Sequence, residues 1–177
     1  MAERLSGVWW YRSLFVGFAI CLVFLQLLPL NPGPGQLPGP DILLLLVLSW
    51  TILRPDIVPV FLVAVVFLIS DLLLMRPPGL WTALVLLACE FLRTRRVVLR
   101  NAPFLVEWLL VAGVVAALTV INTLVLTIFA VPQPSFGLTV IRVIFTILAY
   151  PLVVVLMGRA FGLSKRRGQS ESLGGRA

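Results

Sequence analysis

The sequence contains no histidine and few charged residues, and both shortages restrict the chemistry open to the chain. None of its 177 residues is histidine, so the commonest proton shuttle and metal ligand is missing. Only 12% of the residues are charged, against about 25% in an ordinary soluble domain. No phosphate-binding loop, dinucleotide fingerprint or nucleophile elbow is present. We therefore expect no enzyme activity, no cofactor and no metal ion.

Cysteine is scarce as well. Cys21 and Cys89 are the only two, and each stands alone in an apolar stretch. A disulfide or a reactive nucleophile is one interpretation. The other interpretation is that both are small apolar core residues, and this pattern favours it.

Apolar residues, by contrast, are abundant at 60% of the chain. Their runs are continuous rather than alternating, which favours helices over a membrane barrel. The sequence therefore predicts an all-α integral membrane protein, a single domain over residues 1–163 with six transmembrane helices. The predicted helices are 13–30, 41–53, 57–75, 80–92, 104–131 and 138–161. The polar, basic tail 164–177 is predicted to be disordered.

Two predicted helices are short for a membrane span. Segments 41–53 and 80–92 would each rise about 20 Å, whereas the hydrocarbon core is about 30 Å thick. Either they pack against longer neighbouring helices, or their polar ends lie in pockets lined by protein, or their true ends lie a few residues away. Breaks rich in Pro, Gly or Arg separate the helices at 31–40, 76–79, 93–103 and 132–137.

Positive charge predicts the orientation of the helices. If both termini are cytoplasmic (N-in/C-in), twelve of the 14 Lys and Arg residues lie inside, and only Arg76 and Arg142 lie outside. No small-residue cleavage site follows the first apolar run, so it is interpreted as an uncleaved helix preceded by the interfacial aromatics Trp9, Trp10 and Tyr11. The net charge of +7 suits anionic membrane lipid, and no nucleic-acid motif is present. The twelve inner residues are Arg4, Arg12, Arg54, Arg93, Arg95, Arg96, Arg100, Arg159, Lys165, Arg166, Arg167 and Arg176.

Single polar residues give further expectations. Asp41, just before an apolar run, suits a helix N-cap. Glu90 and Glu107 lie close enough to the basic segment to pair with its arginines. Tyr150 precedes Pro151, which should kink the sixth helix unless packing hides the break. The small residues Gly113 and Ala117, with the polar residues Thr119, Asn122, Thr123 and Thr127, predict a helix-packing face used first within the chain.

The segment "RPDIVPVFLVAVVFLISDLLLMRPPG", residues 54–79, carries charge and proline at both ends of one apolar helix. Pro55 would preset the first turn after Arg54, and Asp56 would face the positive end of the helix dipole. Asp71 follows fifteen residues later, about 22 Å along the axis and roughly 60° around it. Asp71 is then either a functional acid or a charged anchor at the outer interface beside Arg76. A buried Asp71 would be expected to pair with an arginine.

This segment resembles the signature of the MreD family, the rod shape-determining membrane proteins of bacteria. The matching residues are Arg54, Pro55, Asp56, Pro59, Asp71, Leu72, Leu73, Pro77 and Gly79. The chain departs from the pattern at Phe67, where glycine is usual, and at Pro78, where leucine is common. With Arg76 added, the candidate structural and partner-interaction residues are Arg54, Pro55, Asp56, Pro59, Asp71, Arg76, Pro77 and Gly79.

The resemblance implies a function that composition does not. It implies a non-catalytic scaffold of the bacterial elongation complex in the inner membrane, which binds MreC and works with MreB, RodA and a class B penicillin-binding transpeptidase. It also implies a fold similar to the substrate-binding subunits of energy-coupling-factor transporters. That likeness supplies the alternative, a vitamin-type binding subunit of a transporter. An intramembrane enzyme is a third possibility, supported only by isolated carboxylates.

Overall fold

The computed structural model describes residues 2–28, 38–53 and 58–161, and within these residues it contains six α-helices and no strand. The helical class predicted from the sequence is therefore confirmed. Residues 54–57 and the tail 164–177 lie outside the described residues, so the predictions for Arg54, Pro55, Asp56 and a disordered tail stay predictions. The helices are α1 (Ala2–Leu27), α2 (Ile42–Leu53), α3 (Val60–Leu73), α4 (Leu80–Asn101), α5 (Phe104–Ile128) and α6 (Phe136–Phe161).

The short helix α2 lies at the centre of the bundle. It contacts α1, α4 and α6, and every residue from 43 to 52 is buried. A helix that is apolar on all sides suits an interior position. Since other helices surround α2, its 12 residues need not match the thickness of a membrane.

Three helices are long and apolar enough to cross a membrane, judged by length and composition. They are the segments Trp10–Leu27, Phe104–Ile128 and Phe136–Arg159, in α1, α5 and α6. α2 and α3 are shorter apolar helices, so helix length alone does not support the six predicted spans. Large apolar side chains cover much of the surface, with Phe61 and Ile128 each 79% exposed and Phe136 81% exposed. Soluble monomers rarely expose apolar surface on this scale.

Two helix boundaries differ clearly from the predicted ones. α1 begins at Ala2, so Trp9, Trp10 and Tyr11 lie inside the helix rather than before it. α4 continues to Asn101, through residues that the sequence predicted as a basic loop. No glycine or proline interrupts that stretch, and its arginines, valines and leucine tolerate a helix. The helix ends only at Ala102, which is extended because Pro103 follows it.

The remaining boundaries move by a few residues. α2 starts one residue later than predicted, and α6 starts two residues earlier. α5 ends at Ile128, three residues before its predicted end. α3 runs from Val60 to Leu73 instead of 57–75, because the extended Pro59 sets its start.

Pro151 lies within α6, and the helix continues through it. Proline has no N–H, so the carbonyl of Ile147, four residues earlier, loses its helical donor. The indole Nε1 of Trp108 on α5 donates to this carbonyl at 3.0 Å. A side chain from the neighbouring helix therefore replaces the missing backbone hydrogen bond.

Candidate functional site: the α3–α4 junction and a polar cavity

The end of α3 is tied to the start of α4 by the carboxylate of Asp71. This side chain is fully buried, and its Oδ2 accepts hydrogen bonds from Gly79 N at 3.2 Å, Thr82 N at 3.2 Å and Thr82 Oγ1 at 2.8 Å. The first N–H groups of a helix have no partner within that helix. Asp71 therefore acts as an N-cap for α4, supplied from the preceding helix.

The backbone between the two helices bends sharply around Asp71. Arg76 N donates to the Asp71 carbonyl at 2.9 Å, and Met75 N donates to the Leu72 carbonyl at 3.4 Å. With Met75 in the left-handed region (φ 54°), this is the hydrogen-bond pattern of a Schellman C-cap. Gly79 also has positive φ, at 90°, which glycine adopts without steric cost. Asp71 thus accepts hydrogen bonds at both helix ends, one through its backbone and three through its side chain.

The sequence-predicted candidates divide into three groups. Asp71, Arg76, Pro77 and Gly79 come together in this junction, whereas Pro59 is the N-cap residue of α3 at the far end of that helix. Arg54, Pro55 and Asp56 are outside the described residues. The prediction that Asp71 pairs with an arginine is wrong: among the described residues its carboxylate accepts hydrogen bonds only from Gly79 and Thr82 at the start of α4, and Oδ1 has no hydrogen-bond partner.

A cavity of about 660 Å³ opens beside the junction, at the end of the bundle where three connections meet. Residues from the α1–α2, α3–α4 and α5–α6 connections all line it, so these three connections share one end of the molecule. The cavity extends to Thr146, ten residues into α6 and about 15 Å along that helix. Its polar and charged lining residues are Asp41, Arg76, Trp81, Thr119, Asn122, Thr123, Gln133, Thr139, Arg142 and Thr146.

Asp41 fixes one wall of the cavity. Its Oδ1 accepts from Leu44 N at 3.1 Å, which confirms the predicted N-cap of α2. Its Oδ2 pairs with Arg142 at 3.0 Å, and its own N–H donates to Thr146 Oγ1 at 3.0 Å. The Thr146 hydroxyl in turn donates to the Arg142 carbonyl at 2.7 Å. These contacts join α2 to α6 and hold the guanidinium of Arg142 in place.

Arg76 also lines the cavity and is less constrained than Arg142. Among the described residues its guanidinium forms no hydrogen bond or ion pair, and it lies over the Trp81 ring, 5.9 Å from the centroid. Burial and the nearby charge of Arg142 lower the pKa of Arg76 from its usual value, while Asp41 and Asp71 act in the opposite direction. Because the usual pKa of arginine lies far above neutral pH, Arg76 remains a cation.

The small-residue face of α5 borders a separate apolar groove of about 470 Å³ between α4 and α5. Gly113 and Ala117 line this groove, and a Cβ added at Gly113 would have no neighbouring atom within 4 Å. Gly113 and Ala117 are exposed in this groove, so the expected packing within the chain is not seen at these two residues. The polar residues of α5 point to another use, because Thr119, Asn122 and Thr123 line the cavity.

At the other end of the bundle, Arg93 joins α4 to the α2–α3 connection. It pairs with Glu90 at 2.9 Å, as predicted, and donates to the carbonyl of Val58. Glu107 is buried and accepts a hydrogen bond of 2.8 Å from the Tyr150 hydroxyl, a partner that the sequence did not indicate.

Both cysteines are free thiols, Cys21 exposed and Cys89 buried, which rules out a disulfide between them in this structure. Within the described ranges, no group of three or more Cys, Asp or Glu side chains is placed to hold a metal ion.

Comparisons of the chain with protein-family models, with curated proteins and with solved structures found no match.

Sequence reasoning offered a protein-lined pocket as one alternative for the polar end of segment 41–53, where Asp41 lines the cavity, but it missed the other walls, although one signal of them was present. Arg76 and Arg142 are the two basic residues that the charge asymmetry assigns to the outer side, and both line this cavity. They are 66 positions apart in the chain, so no local pattern connects them. Only the packing of α3, α4 and α6 brings them to one site.

Proposed function

We propose that this protein is a non-catalytic scaffold of the bacterial cell-elongation complex, in which it binds MreC and supports lateral peptidoglycan synthesis and rod shape. The resemblance of residues 54–79 to the MreD signature carries the proposal. The α3–α4 junction supports the proposal, because two residues of the signature are hydrogen-bonded there: Gly79 N donates to Asp71 Oδ2.

A location in the bacterial inner membrane, with six passes and both termini cytoplasmic, belongs to the same proposal. Three helices of sufficient length and an extensively apolar surface support it. The short helix α2 is compatible with six passes because protein surrounds it. Arg93, Arg95 and Arg96 lie near the end of α4 remote from the cavity, as the positive-inside rule requires of cytoplasmic residues.

The contacts of the ionisable residues also favour a scaffold over an enzyme. Asp71 caps α4, Asp41 caps α2, and Glu90 pairs with its neighbour Arg93. In each case the carboxylate satisfies a helix end or a nearby cation. A helix-joining role suits a protein whose task is to present a fixed surface.

The apolar groove between α4 and α5 is our candidate surface for the membrane helix of MreC. Gly113 and Ala117 allow close approach of another helix, and no side chain of this chain fills the space beside Gly113. Close van der Waals packing drives helix association in lipid, where the hydrophobic effect between helices is lost. MreB, RodA and the class B transpeptidase would then associate directly or through MreC.

The test combines cell shape with capture of MreC. Depletion of the protein is expected to round the cells, and the parent gene is expected to restore rods. A Cβ at residue 113 meets no atom within 4 Å, so Gly113→Leu is expected to extend into the groove, keep or raise the melting temperature, lose MreC in detergent co-purification and fail to restore rods. Leu109→Phe adds bulk at an exposed position of α5 that does not line the groove, and it should behave as the parent.

Rods that persist after depletion would contradict the elongation function. A Gly113→Leu variant that still captures MreC would move the contact away from the groove while leaving the function in place.

A small-molecule-binding subunit of a transporter is the second candidate, and the cavity is the observation that favours it. Its volume of about 660 Å³ lies within the usual range of ligand sites, about 300–1,000 Å³. A vitamin found by mass spectrometry in the purified protein, together with normal cell shape after depletion, would favour this candidate over the scaffold.

A further inference from the structure

The cavity wall contains polar groups that the described chain leaves without partners. The guanidinium of Arg76 and the carboxamide of Asn122 form no hydrogen bond to any described residue. Both groups are accessible beside one cavity, so they are available to hydrogen-bond a polar ligand bound there.

The charges of the wall determine the sign of that ligand. Two guanidinium groups, Arg76 and Arg142, face one carboxylate, Asp41, among the lining residues. Asp71 does not line the cavity, and its Oδ2 is committed to the α4 N-terminus, whose positive helix dipole offsets it. Arg142 is already paired with Asp41, so the charge of Arg76 is the one left over. An anion would balance it.

The size and the remaining lining indicate what kind of anion. A volume of about 660 Å³ is much larger than an inorganic phosphate or sulfate ion requires. Aliphatic side chains form the other part of the wall, so a free ion would leave apolar surface uncovered. An amphiphile with an anionic head and a hydrocarbon part satisfies both parts of the wall. The aliphatic lining residues are Leu28, Leu44, Leu80, Val115, Leu126, Val131, Leu138 and Val143.

We propose that this cavity binds the phosphate group of an anionic membrane lipid, with Arg76 as the principal contact. The guanidinium fork of arginine matches two phosphate oxygens at once. Arg142, held by Asp41, and the carboxamide of Asn122 are placed to take the remaining head-group oxygens. The first carbons of the acyl or prenyl chain lie along the aliphatic wall. This site goes beyond the scaffold function and requires only that the bundle is embedded in lipid.

The location of the site fits a lipid better than a soluble ligand. Three helix connections surround it at one end of the bundle, and the outer faces of α5 and α6 beside it are apolar. Ile128 and Phe136, at the adjoining ends of these two helices, are 79% and 81% exposed. If the lipid head group lies in the cavity, its hydrocarbon chain lies against this apolar outer face of α5 and α6.

The experiment measures thermal unfolding of the full chain, purified in a neutral detergent, by the fluorescence of its five tryptophans. The probes are dihexanoyl phosphatidate, dihexanoyl phosphatidylcholine and sodium phosphate. Phosphatidate is expected to raise the melting temperature in a concentration-dependent way, since a ligand that binds only the folded state stabilises it. Arg76→Gln should raise the half-maximal concentration at least about tenfold, the scale of losing a charge-assisted contact.

Two further variants make the result specific. Arg76→Lys keeps the charge but loses the fork, so its response should lie between the parent and Arg76→Gln. Arg159→Gln removes an exposed arginine that does not line the cavity, and it should respond as the parent does. Because the Arg76 side chain makes no hydrogen bond to the described chain, its variants should still fold. Each response is measured from the variant's own ligand-free melting temperature, which removes the effect of the lost contact with the Trp81 ring.

The outcomes separate the possible sources of the anion. An equal response to phosphatidylcholine would overturn recognition of an anion. A response to sodium phosphate as large as that to phosphatidate would overturn the lipid and leave a free-phosphate site. No response to any probe, or equal responses of Arg76→Gln and Arg159→Gln, would overturn the site itself. Cell shape and MreC capture are measured separately, so failure here leaves the scaffold proposal intact.

Discussion

Asp71 and Thr82 join α3 to α4 through a hydrogen bond of 2.8 Å from Thr82 Oγ1 to Asp71 Oδ2, and both residues are buried. The same carboxylate oxygen also accepts from Gly79 N and Thr82 N. Three donors on one oxygen hold two helices at a fixed angle across a connection of only six residues, 74–79. Arg76, which lines the cavity, belongs to that connection, so the junction also positions the cavity wall.

Replacement of Asp71 by alanine is expected to destabilise the protein more than replacement of Asp41. Asp71→Ala removes the acceptor of three hydrogen bonds at a fully buried site, at a cost of about 2–4 kcal/mol from a lost cap and unsatisfied donors. Asp41→Ala removes one cap and a pair with Arg142, whose side chain is 38% exposed, so water can replace part of the loss. Thermal unfolding in detergent measures the difference.

A double-mutant cycle isolates the Asp71–Thr82 contact. Thr82→Val keeps the shape of the side chain and removes its hydroxyl, while Asp71→Ala removes the acceptor oxygen. The two changes together should destabilise less than the sum of the single changes, because they remove the same bond. Purely additive effects would contradict a coupling between Asp71 and Thr82. An Asp71→Ala variant that melts like the parent would mean that Asp71 does not stabilise the junction and is only a charged residue near the helix end.

Structural features that depend on residues close together in the sequence were predictable. The apolar runs identified the six helices of the described residues, and Asp41 was correctly predicted as an N-cap because its partner lies three residues away. The ends of α1 and α4 were predicted less well. The predicted helices left out the polar and basic residues at those ends, whereas the helices continue through them, from Ala2 in α1 and as far as Asn101 in α4.

The contacts between distant segments were not predictable. Asp71 was expected to need a cation, but backbone N–H groups satisfy it, and a sequence does not show which backbone groups lack partners. The pairing of Asp41 with Arg142 spans 101 residues. The cavity depends on three connections meeting at one end, which follows from the packing of α2 among α1, α4 and α6.

The proposed membrane orientation predicts the labelling of single cysteines in cells. Cys21 and Cys89 are first replaced by alanine, and one cysteine is then introduced at exposed Gly137 or at exposed Thr94. An impermeant maleimide applied from outside, to cells with a permeabilised outer envelope, should label Gly137→Cys and spare Thr94→Cys. Lysis should make both reactive, which controls for accessibility. The reverse pattern would invert the protein in the membrane and put the cavity on the cytoplasmic side.

Trp108 and Pro151 provide a test of packing inside the bundle. Trp108→Phe removes the donor to the Ile147 carbonyl, which Pro151 has deprived of its helical partner, and should cost about 1–3 kcal/mol. In a Pro151→Ala background the alanine restores a backbone N–H to that carbonyl, so the same tryptophan change should cost less. The packing lost between tryptophan and phenylalanine is common to both backgrounds and cancels in the comparison. Thermal unfolding of the four proteins gives the coupling. If Trp108→Phe lowers the free energy of unfolding equally in both backgrounds, the indole only fills space and does not replace the missing hydrogen bond. Side-chain packing alone would then stabilise α6 around Pro151.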